Sequence, residues 1–200
     1  MTDTDARRRL VLASGNSGKL KEYQVLAAGR DLELQLLPGY ANIPEFPEEA
    51  STFAENAAGK ALYYSKYSNE LVLADDSGLV VPAFGGAPGV QSARYAGVGA
   101  NNDARIAKLL GVLDGKTGLE RAACFVCVIA VAQRGQCVAI VSGKVDGEIL
   151  KSPQGSGGFG YDPVFYFPPL HKSFAELTAN EKNQHSHRGK AFRRLMEVLS

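Results

Sequence analysis

The chain has 200 residues, 45% of them hydrophobic, and a formal net charge of +1. This length predicts one domain with a substantial core, and the near-neutral charge argues against a broad cationic surface for duplex nucleic acid. No apolar run approaches the roughly 18–20 residues that cross a membrane. Three cysteines favour the reducing cytoplasm over a disulfide framework. Residues 1–9 are polar and predict a flexible tail without a secretory signal.

The first predicted strand, residues 10–13, runs into a glycine-rich turn and then a helix. This arrangement can direct backbone N–H groups and a helix N-terminus at a phosphate. The turn is not a Walker A loop, because Ala13 and Leu20 stand where that motif has glycine and Ser or Thr. A phosphate-binding turn and a plain strand-to-helix connection fit this segment equally well. The residues of the turn are Ser14, Gly15, Asn16, Ser17, Gly18 and Lys19.

A predicted strand over residues 32–37 precedes a loop rich in proline and glutamate, residues 38–50. Its acids, Glu45, Glu48 and Glu49, can form part of a metal site or a solvated acidic loop, and the solvated loop is the commoner outcome.

A helix capped by Ser51 or Thr52 is predicted to follow this loop, and Thr52 and Glu55 have the spacing of a capping box. Asn56 and Lys60 are four residues apart and share one helical face, which can point at a ligand or at water. The apolar stripe of the same helix consists of Phe53, Ala57, Ala61 and Tyr64.

An apolar run at residues 71–74 is followed directly by Asp75, Asp76, Ser77 and Gly78. The run predicts a buried strand that ends at the two acids, and ligands of open α/β sheets bind beyond the carboxyl ends of strands. Two carboxylates there suit a divalent cation, and one of them can take a proton from water. The alternative is that the acids begin a turn, for which Asp-Ser-Gly is ordinary chemistry.

The middle of the chain predicts a glycine-rich connection at 84–99, a helix capped by Asn102, and a hairpin. The hairpin strands, residues 122–132 and 137–145, are expected at the centre of the sheet. Cys124 and Cys127 are three apart on a strand and therefore face opposite ways, which favours packed core thiols over a metal or redox site.

The last third of the chain contains a second glycine-rich loop, residues 155–163, and a mostly helical segment, residues 176–199. Glycines around Phe159 suggest backbone that passes close to something flat, such as a nucleobase. His185 and His187 could form a metal pair, but Lys182 and Arg188 would repel a cation. Recognition of an anion or a base edge fits better, and a solvated basic helix start is the plain alternative.

Six motifs that occur in order closely resemble those of the inosine/xanthosine triphosphate pyrophosphatases. The resemblance covers residues 10–199, and six weak motifs in the right order are hard to obtain by chance. The motifs are Ser14-Gly15-Asn16-x-Gly18-Lys19, Thr52-Phe53-x-Glu55-Asn56-Ala57, Ala74-Asp75-Asp76-Ser77-Gly78-Leu79, Gly85-Gly86-x-Pro88-Gly89-x-x-Ser92-Ala93-Arg94-Tyr95, Gly157-Gly158-Phe159-Gly160-Tyr161-Asp162-Pro163 and Ser186-His187-Arg188-Gly189.

The resemblance implies an α/β fold with an elongated mixed β-sheet flanked by helices, and two lobes with a cleft between them. It also implies a homodimer and Mg²⁺-dependent hydrolysis of ITP, dITP and XTP to the monophosphate and pyrophosphate. The implied role is to remove deaminated purine nucleotides from the DNA and RNA precursor pools.

The resemblance also assigns roles to the matching residues of this chain. The turn from Ser14 to Lys19 would hold the triphosphate with help from Lys60. Asp76 would be the general base and a metal ligand, with Asp75 beside it. Because the acidic loop varies within the family, Glu45, Glu48 and Glu49 all remain candidates for the metal, and Glu45 and Glu48 are preferred. The nucleotide and its base would be held by Ser77, Phe159, Gly160, Tyr161, Asp162, Lys182, His187 and Arg188.

Selection of a 6-oxo purine against adenine needs donors aimed at O6, and backbone N–H groups near Phe159 and the side chain of Arg188 can supply them. Two alternatives to the pyrophosphatase are a purine-sensing module without turnover and a phosphatase that releases orthophosphate. The acids Asp75 and Asp76 weigh against the sensor, and the product distinguishes the phosphatase. The near-neutral charge disfavours a groove for single-stranded nucleic acid.

Overall fold

The computed structural model describes residues 8–200 of the chain. Within this range seven strands form one sheet in the order β2-β1-β3-β4-β5-β6-β7. The strands are β1 (Arg8–Leu12), β2 (Leu32–Leu36), β3 (Leu71–Val80), β4 (Ala122–Gln133), β5 (Gln136–Ile149), β6 (Phe165–Phe167) and β7 (Lys172–Ser173). The α-helices are α1 (Ser17–Ala27), α2 (Phe53–Tyr64), α3 (Asn102–Val112), α4 (Ala179–His185) and α5 (His187–Leu199).

The sheet is mixed, which confirms the predicted α/β fold class. Strand β1 is parallel to both β2 and β3, and β6 is antiparallel to both β5 and β7. The predicted hairpin is confirmed as β4 and β5, and β4 is the middle strand of the seven. Its two-residue turn consists of Arg134 and Gly135, with φ values of 50° and 78°, the conformation that a tight right-twisted hairpin requires.

Strand β3 does not end at the acid pair, so the predicted strand end is wrong, and so is the alternative turn. The strand continues through Asp75 and Asp76 as far as Val80. Leu73 before the acids and Leu79 after them are both 0% exposed. Burial on both sides therefore keeps the chain extended and overrides the local preference of Asp-Ser-Gly for a turn.

Two smaller boundaries also differ from the predictions. The N-cap of α3 is Asn101 rather than Asn102, because the Asn101 side chain accepts the N–H of Ala104 at 2.9 Å, as an N-cap three residues before its donor does. Arg8 and Arg9, which were expected in the flexible tail, belong to β1. The remainder of that tail, residues 1–7, lies outside the described residues. No helix of the described chain is long and apolar enough to cross a membrane.

The described chain packs into two compact units. The first contains residues 8–76, 128–141 and 192–200, and the second contains residues 77–127 and 142–191. In the first unit, Leu10, Leu12 and Leu73 are 0% exposed, and Tyr23 of α1 packs edge-on against Phe192 of α5 with ring centroids 5.8 Å apart.

The second unit has an apolar core with phenylalanine rings at its centre. Phe174 contacts the rings of Phe125, Phe165 and Phe167 at centroid distances of 6.0, 4.8 and 5.8 Å. Aliphatic side chains from β3, α3, β5 and the residues that directly follow β3 and α3 complete this core, among them Leu79, Val81, Ile106, Leu109, Leu113, Val145 and Ile149.

Candidate active site

The turn after β1 is held in place by its own side chains. Asn16 caps α1, because its Oδ1 accepts the backbone N–H groups of Gly18 at 2.9 Å and Lys19 at 3.1 Å. The Ser14 hydroxyl accepts the N–H of Asn16 at 3.2 Å. The predicted turn and helix are therefore present, but two of the N–H groups expected to face a phosphate are satisfied by Asn16.

Lys19 and Lys60 converge on Asp75 from two different helices. Lys19 Nζ lies 3.0 Å from Asp75 Oδ2, and both ammonium groups donate to the Asp75 carbonyl oxygen at 3.2 Å. Burial lowers the pKa of Lys60, but the negative charges of Glu48 and Asp75 outweigh burial and leave this pKa above its ordinary value. Lys60 is therefore a cation at neutral pH.

Asp76 is held by a neutral donor, unlike Asp75. The Asn56 side chain donates from Nδ2 to Asp76 Oδ2 at 3.0 Å, and Asp76 is 6% exposed. Burial raises the pKa of Asp76 above its ordinary value, and the opposing effects of Lys19 and Asn56 offset burial only in part. Neighbouring residues of a strand face opposite ways, and the two acids differ in these side-chain contacts: Asp75 pairs with Lys19, whereas Asp76 accepts from Asn56.

The acidic loop before α2 brings one of its three glutamates to these residues. Glu48 forms an ion pair with Lys60, and its charge also raises the pKa of Asp76. Glu45 and Glu49 are exposed. The loop is anchored by Phe46, whose ring fits against Gly59 of α2, where a Cβ would lie 2.6 Å from Phe46 Cζ.

Asp76 and Glu48 are the two carboxylates here that could hold a divalent cation. Both side chains offer hard oxygen donors, and both lie near Lys60, since Glu48 pairs with its ammonium and the charge of Asp76 helps to raise its pKa. No three His, Cys, Asp or Glu side chains among residues 8–200 are grouped as metal ligands. Mg²⁺ does not need such a cage, because it commonly binds through one or two carboxylates together with waters and substrate phosphates.

In the second unit, Asp162 organises the glycine-rich loop around Phe159. Asp162 Oδ2 accepts the backbone N–H of Phe159 at 2.7 Å and the ammonium of Lys182 at 2.5 Å. Lys182 Nζ also lies 4.9 Å from the centre of the Phe159 ring. Gly158 has a φ of +70°, and a Cβ there would collide with Asp162. The loop is therefore rigidly held, and its Phe159 N–H already has a partner.

Arg188 and His187 lie at the start of α5 and are 1% and 5% exposed. Arg188 donates to the Ser77 hydroxyl at 2.8 Å, and its guanidinium lies 5.8 Å from the centre of the Phe159 ring. His187 stacks on Phe125 at 4.8 Å, whereas His185 packs against Phe167 at 5.4 Å. The two histidines thus have different aromatic partners.

Two predicted site residues, Gly160 and Tyr161, have structural roles in the same loop. Gly160 has a φ of +64°. Tyr161 is 3% exposed, and its hydroxyl donates to the carbonyl of Ser92 at 2.9 Å. The Ser92 hydroxyl in turn accepts the N–H of Leu79 at 2.9 Å. These bonds tie the glycine-rich connection after β3 to the loop that carries Phe159.

Sequence reasoning left the role of Asn56 open and missed Gly143. For Asn56 the available signal was its four-residue spacing from Lys60. Gly143 lies in β5, and a Cβ there would collide with the carbonyl oxygen of His187 and lie 2.6 Å from the backbone nitrogen of Ala191. An isolated glycine within a strand was the only signal for this close approach of α5.

The open α/β sheet, the two lysines on a buried acid pair and the cation-flanked aromatic ring define an enzyme of nucleotide metabolism. The model of the Ham1 family matches residues 10–198. The chain belongs to the Ham1 family.

Individual relatives resemble this chain over nearly its whole length. A dITP/XTP pyrophosphatase of Geobacillus kaustophilus is 50% identical over 190 residues, which cover 95% of this chain and 93% of the relative. A dITP/XTP pyrophosphatase of Gloeobacter violaceus is 48% identical over 195 residues, which cover 96% of this chain and 95% of the relative. Among solved structures, a HAM1 protein from Coxiella burnetii has a TM-score of 0.85 and 42% identity, covering 96% of this chain and 98% of that chain. The Staphylococcus aureus Ham1 protein has a TM-score of 0.83 and 40% identity at the same coverage.

Proposed function

We propose that this protein hydrolyses dITP, ITP and XTP to the nucleoside monophosphate and pyrophosphate, and so removes deaminated purines from the nucleotide pool. The observation that carries the proposal is the convergence of Lys19 and Lys60 on the pair Asp75–Asp76. A triphosphate needs fixed cations for its oxygens, and its hydrolysis needs a base for water. The name shared by the relatives, dITP/XTP pyrophosphatase, supports the choice of substrate.

In the proposed reaction, Asp76 orients a water molecule and accepts its proton as the water oxygen attacks the α-phosphorus. The bond from the α-phosphorus to the oxygen that bridges to the β-phosphate breaks, and pyrophosphate leaves with the electron pair. Lys19 and Lys60 stabilise the charge on the phosphoryl oxygens. Asp75, which is ion-paired with Lys19, keeps the lysines in place rather than taking the proton.

Mg²⁺ is the proposed cofactor, with Asp76 and Glu48 as its protein ligands. Glu48 is preferred to Glu45, because Glu48 reaches Lys60 in the candidate site whereas Glu45 is exposed. The ion supplies positive charge that helps to neutralise the triphosphate.

The base is proposed to bind the residues around Phe159. The ring of Phe159 offers a stacking surface, and Arg188 offers N–H donors that O6 of a 6-oxo purine can accept and the amino group of adenine cannot. Because the Phe159 N–H donates to Asp162, that amide is not the O6 donor in this arrangement. Guanine also has a 6-oxo group, so contacts at position 2 must exclude it.

We further propose that the protein acts in the cytoplasm as a homodimer. All three cysteines are free thiols, which suits a reducing compartment. The dimer rests on the family resemblance, and sedimentation equilibrium would measure it.

The proposal is tested by incubating the protein with dITP, ITP, XTP, GTP and ATP in Mg²⁺ and assaying pyrophosphate and orthophosphate separately. We expect pyrophosphate from the first three only. Asp76→Asn should lower kcat by about 10²–10⁴-fold, the range for loss of a general base. Asp146→Asn is the charge-matched control, because the Asp146 side chain is 77% exposed, and it should retain full activity.

Other products would contradict the proposal in distinct ways. Tight binding of ITP without turnover would favour a purine sensor. Orthophosphate as the product would place the cleavage at a different bond. Full activity of Asp76→Asn would remove Asp76 as the base.

A further inference from the structure

Asn56 makes three hydrogen bonds from a side chain that is 1% exposed. Its Oδ1 accepts the backbone N–H of Ala50 at 3.0 Å. Its Nδ2 donates to Asp76 Oδ2 at 3.0 Å and to the carbonyl oxygen of Ala50 at 3.4 Å. One amide on the first turns of α2 therefore contacts both the proposed general base and the end of the acidic loop.

The orientation of this amide is determined by its partners. Only the oxygen of a carboxamide can accept the N–H of Ala50, and only its nitrogen can donate to two acceptors. The Asn56 nitrogen must therefore face Asp76. The loop position that it holds, Ala50, is two residues after Glu48.

From this geometry we propose that Asn56 is a positioning residue, which fixes the carboxylate of Asp76 for proton transfer and holds the acidic loop beside it. The inference rests on the proposed function, because it concerns the same Asp76. A carboxamide suits this role: it fixes a carboxylate oxygen through a hydrogen bond but brings no positive charge that would neutralise the base. The side-chain hydrogen bonds of Asn56 go to Asp76 and Ala50 rather than to the lysines proposed to bind the phosphates, so we expect its loss to act on kcat more than on KM.

A purely structural role for Asn56 makes a different prediction. In that case its loss would weaken the start of α2 and affect activity only as far as it affects folding. Thr52 provides the comparison, because its hydroxyl caps the same helix by accepting the N–H of Glu55 at 3.2 Å and it does not contact Asp76. Thr52→Ala should destabilise α2 without changing kcat.

The experiment measures kcat and KM for dITP in the wild type, Asn56→Ala, Thr52→Ala, Asp76→Asn and the double variant Asn56→Ala/Asp76→Asn, together with their melting temperatures. We expect Asn56→Ala to lower kcat by about 100-fold, the effect of misplacing a reacting group by about 1 Å, with KM unchanged. In the Asp76→Asn background, Asn56→Ala should have a much smaller effect on kcat, because its main action is through Asp76 and only its hold on the acidic loop remains.

Three outcomes would overturn the inference. The first is that the wild type turns over dITP and the Asn56→Ala variant has the same kcat as the wild type. This result would leave the proposed function intact. The second is an equal effect of Asn56→Ala with and without Asp76. The third is a wild type that releases no pyrophosphate, which would remove the proposed function as well. If Asn56→Ala does not fold, Asn56→Leu replaces it, since it keeps a similar volume without adding a charge beside Asp76 and loses the amide donor, and the same fall in kcat is expected.

Discussion

The three buried carboxylates of the candidate site are held by three different sets of donors. Asp75 pairs with an ammonium, Asp76 accepts from a carboxamide, and Asp162 accepts from an ammonium and a backbone N–H. An ammonium neutralises its partner's charge, whereas a carboxamide only orients it. Asp76 is therefore the one of the three that is best suited to accept a proton, and burial raises its pKa above the ordinary value.

The ion pair of Asp162 with Lys182 gives a prediction about stability. The two side chains are 3% and 6% exposed, so loss of one leaves the other charge buried without its ionic partner. We expect Asp162→Ala to lower the free energy of unfolding by about 3–5 kcal/mol, measured by urea denaturation. The double variant Asp162→Ala/Lys182→Met should recover much of this loss, because it buries no charge. A double variant that loses the sum of the two single effects would contradict this account.

Capping boxes stabilise the starts of two consecutive helices in the second unit, close in sequence to Lys182. Thr178 caps α4, where its hydroxyl accepts the N–H of Glu181 at 3.2 Å and the Glu181 carboxylate accepts the N–H of Thr178 at 2.8 Å. Ser173 and Glu176 form a second box on the preceding 3-10 helix. These boxes place Lys182 in the first turn and a half of α4, where it reaches Asp162.

The capping box of α4 predicts a pH dependence of stability. The backbone N–H and the hydroxyl of Thr178 lower the pKa of Glu181 below its ordinary value, and Lys172 adds a smaller effect. A carboxylate with a lowered pKa in the folded state stabilises the protein above its unfolded-state pKa, and this contribution is lost as the pH falls through the folded pKa. We therefore expect Glu181→Gln to lower the melting temperature at pH 7, and the difference from wild type to shrink below about pH 4.5.

The control for this prediction is Glu197→Gln, which removes the same charge from an exposed position of α5 outside any cap. It should leave the melting temperature at pH 7 close to that of wild type. A deficit of Glu181→Gln that stays constant down to pH 3 would show that the carboxylate contributes through packing rather than through its charge.

At the scale of the whole molecule, the chain passes between its two compact units at four points, after residues 76, 127, 141 and 191. Three of these points lie within the strands β3, β4 and β5, and the fourth lies within α5. Neither unit is therefore a single continuous segment of the chain. The residues proposed for the phosphates and the metal belong to the first unit, and those proposed for the base belong to the second, with Asp76 and Ser77 adjacent in sequence.

The aromatic core of the second unit supports the residues proposed for the base, because Phe125 stacks on His187 and packs against Phe174. Phe174 is 0% exposed, so Phe174→Ala should lower the free energy of unfolding by about 3–5 kcal/mol through lost burial and a cavity. Leu119→Ala is the control, because Leu119 is 91% exposed and should cost less than about 0.5 kcal/mol. Similar losses for both variants in urea denaturation would contradict the assignment of this core.

The sequence by itself determined the order of most elements, a helix start at Ser51 or Thr52, the hairpin of β4 and β5, and the family. These features are encoded in contiguous residues: a cap bonds to a neighbour three residues away, and a tight turn needs particular residues at two positions. The six motifs also contain most of the candidate site residues, but not Glu48, Lys60 and Lys182. Local patterns could do this because each motif is short and its residues act together.

Only the tertiary structure decided which of these residues meet. Arg188 donates to Ser77 across 111 residues of sequence, Asn56 reaches Asp76 across 20, and α5 approaches β5 where Gly143 lacks a side chain. Burial of Leu73 and Leu79 also keeps β3 extended through Asp75 and Asp76, although the local preference of Asp-Ser-Gly is for a turn. The physical reason is that burial and long-range pairing are summed over the folded chain, and this sum outweighs the small local preferences that a sequence pattern reports.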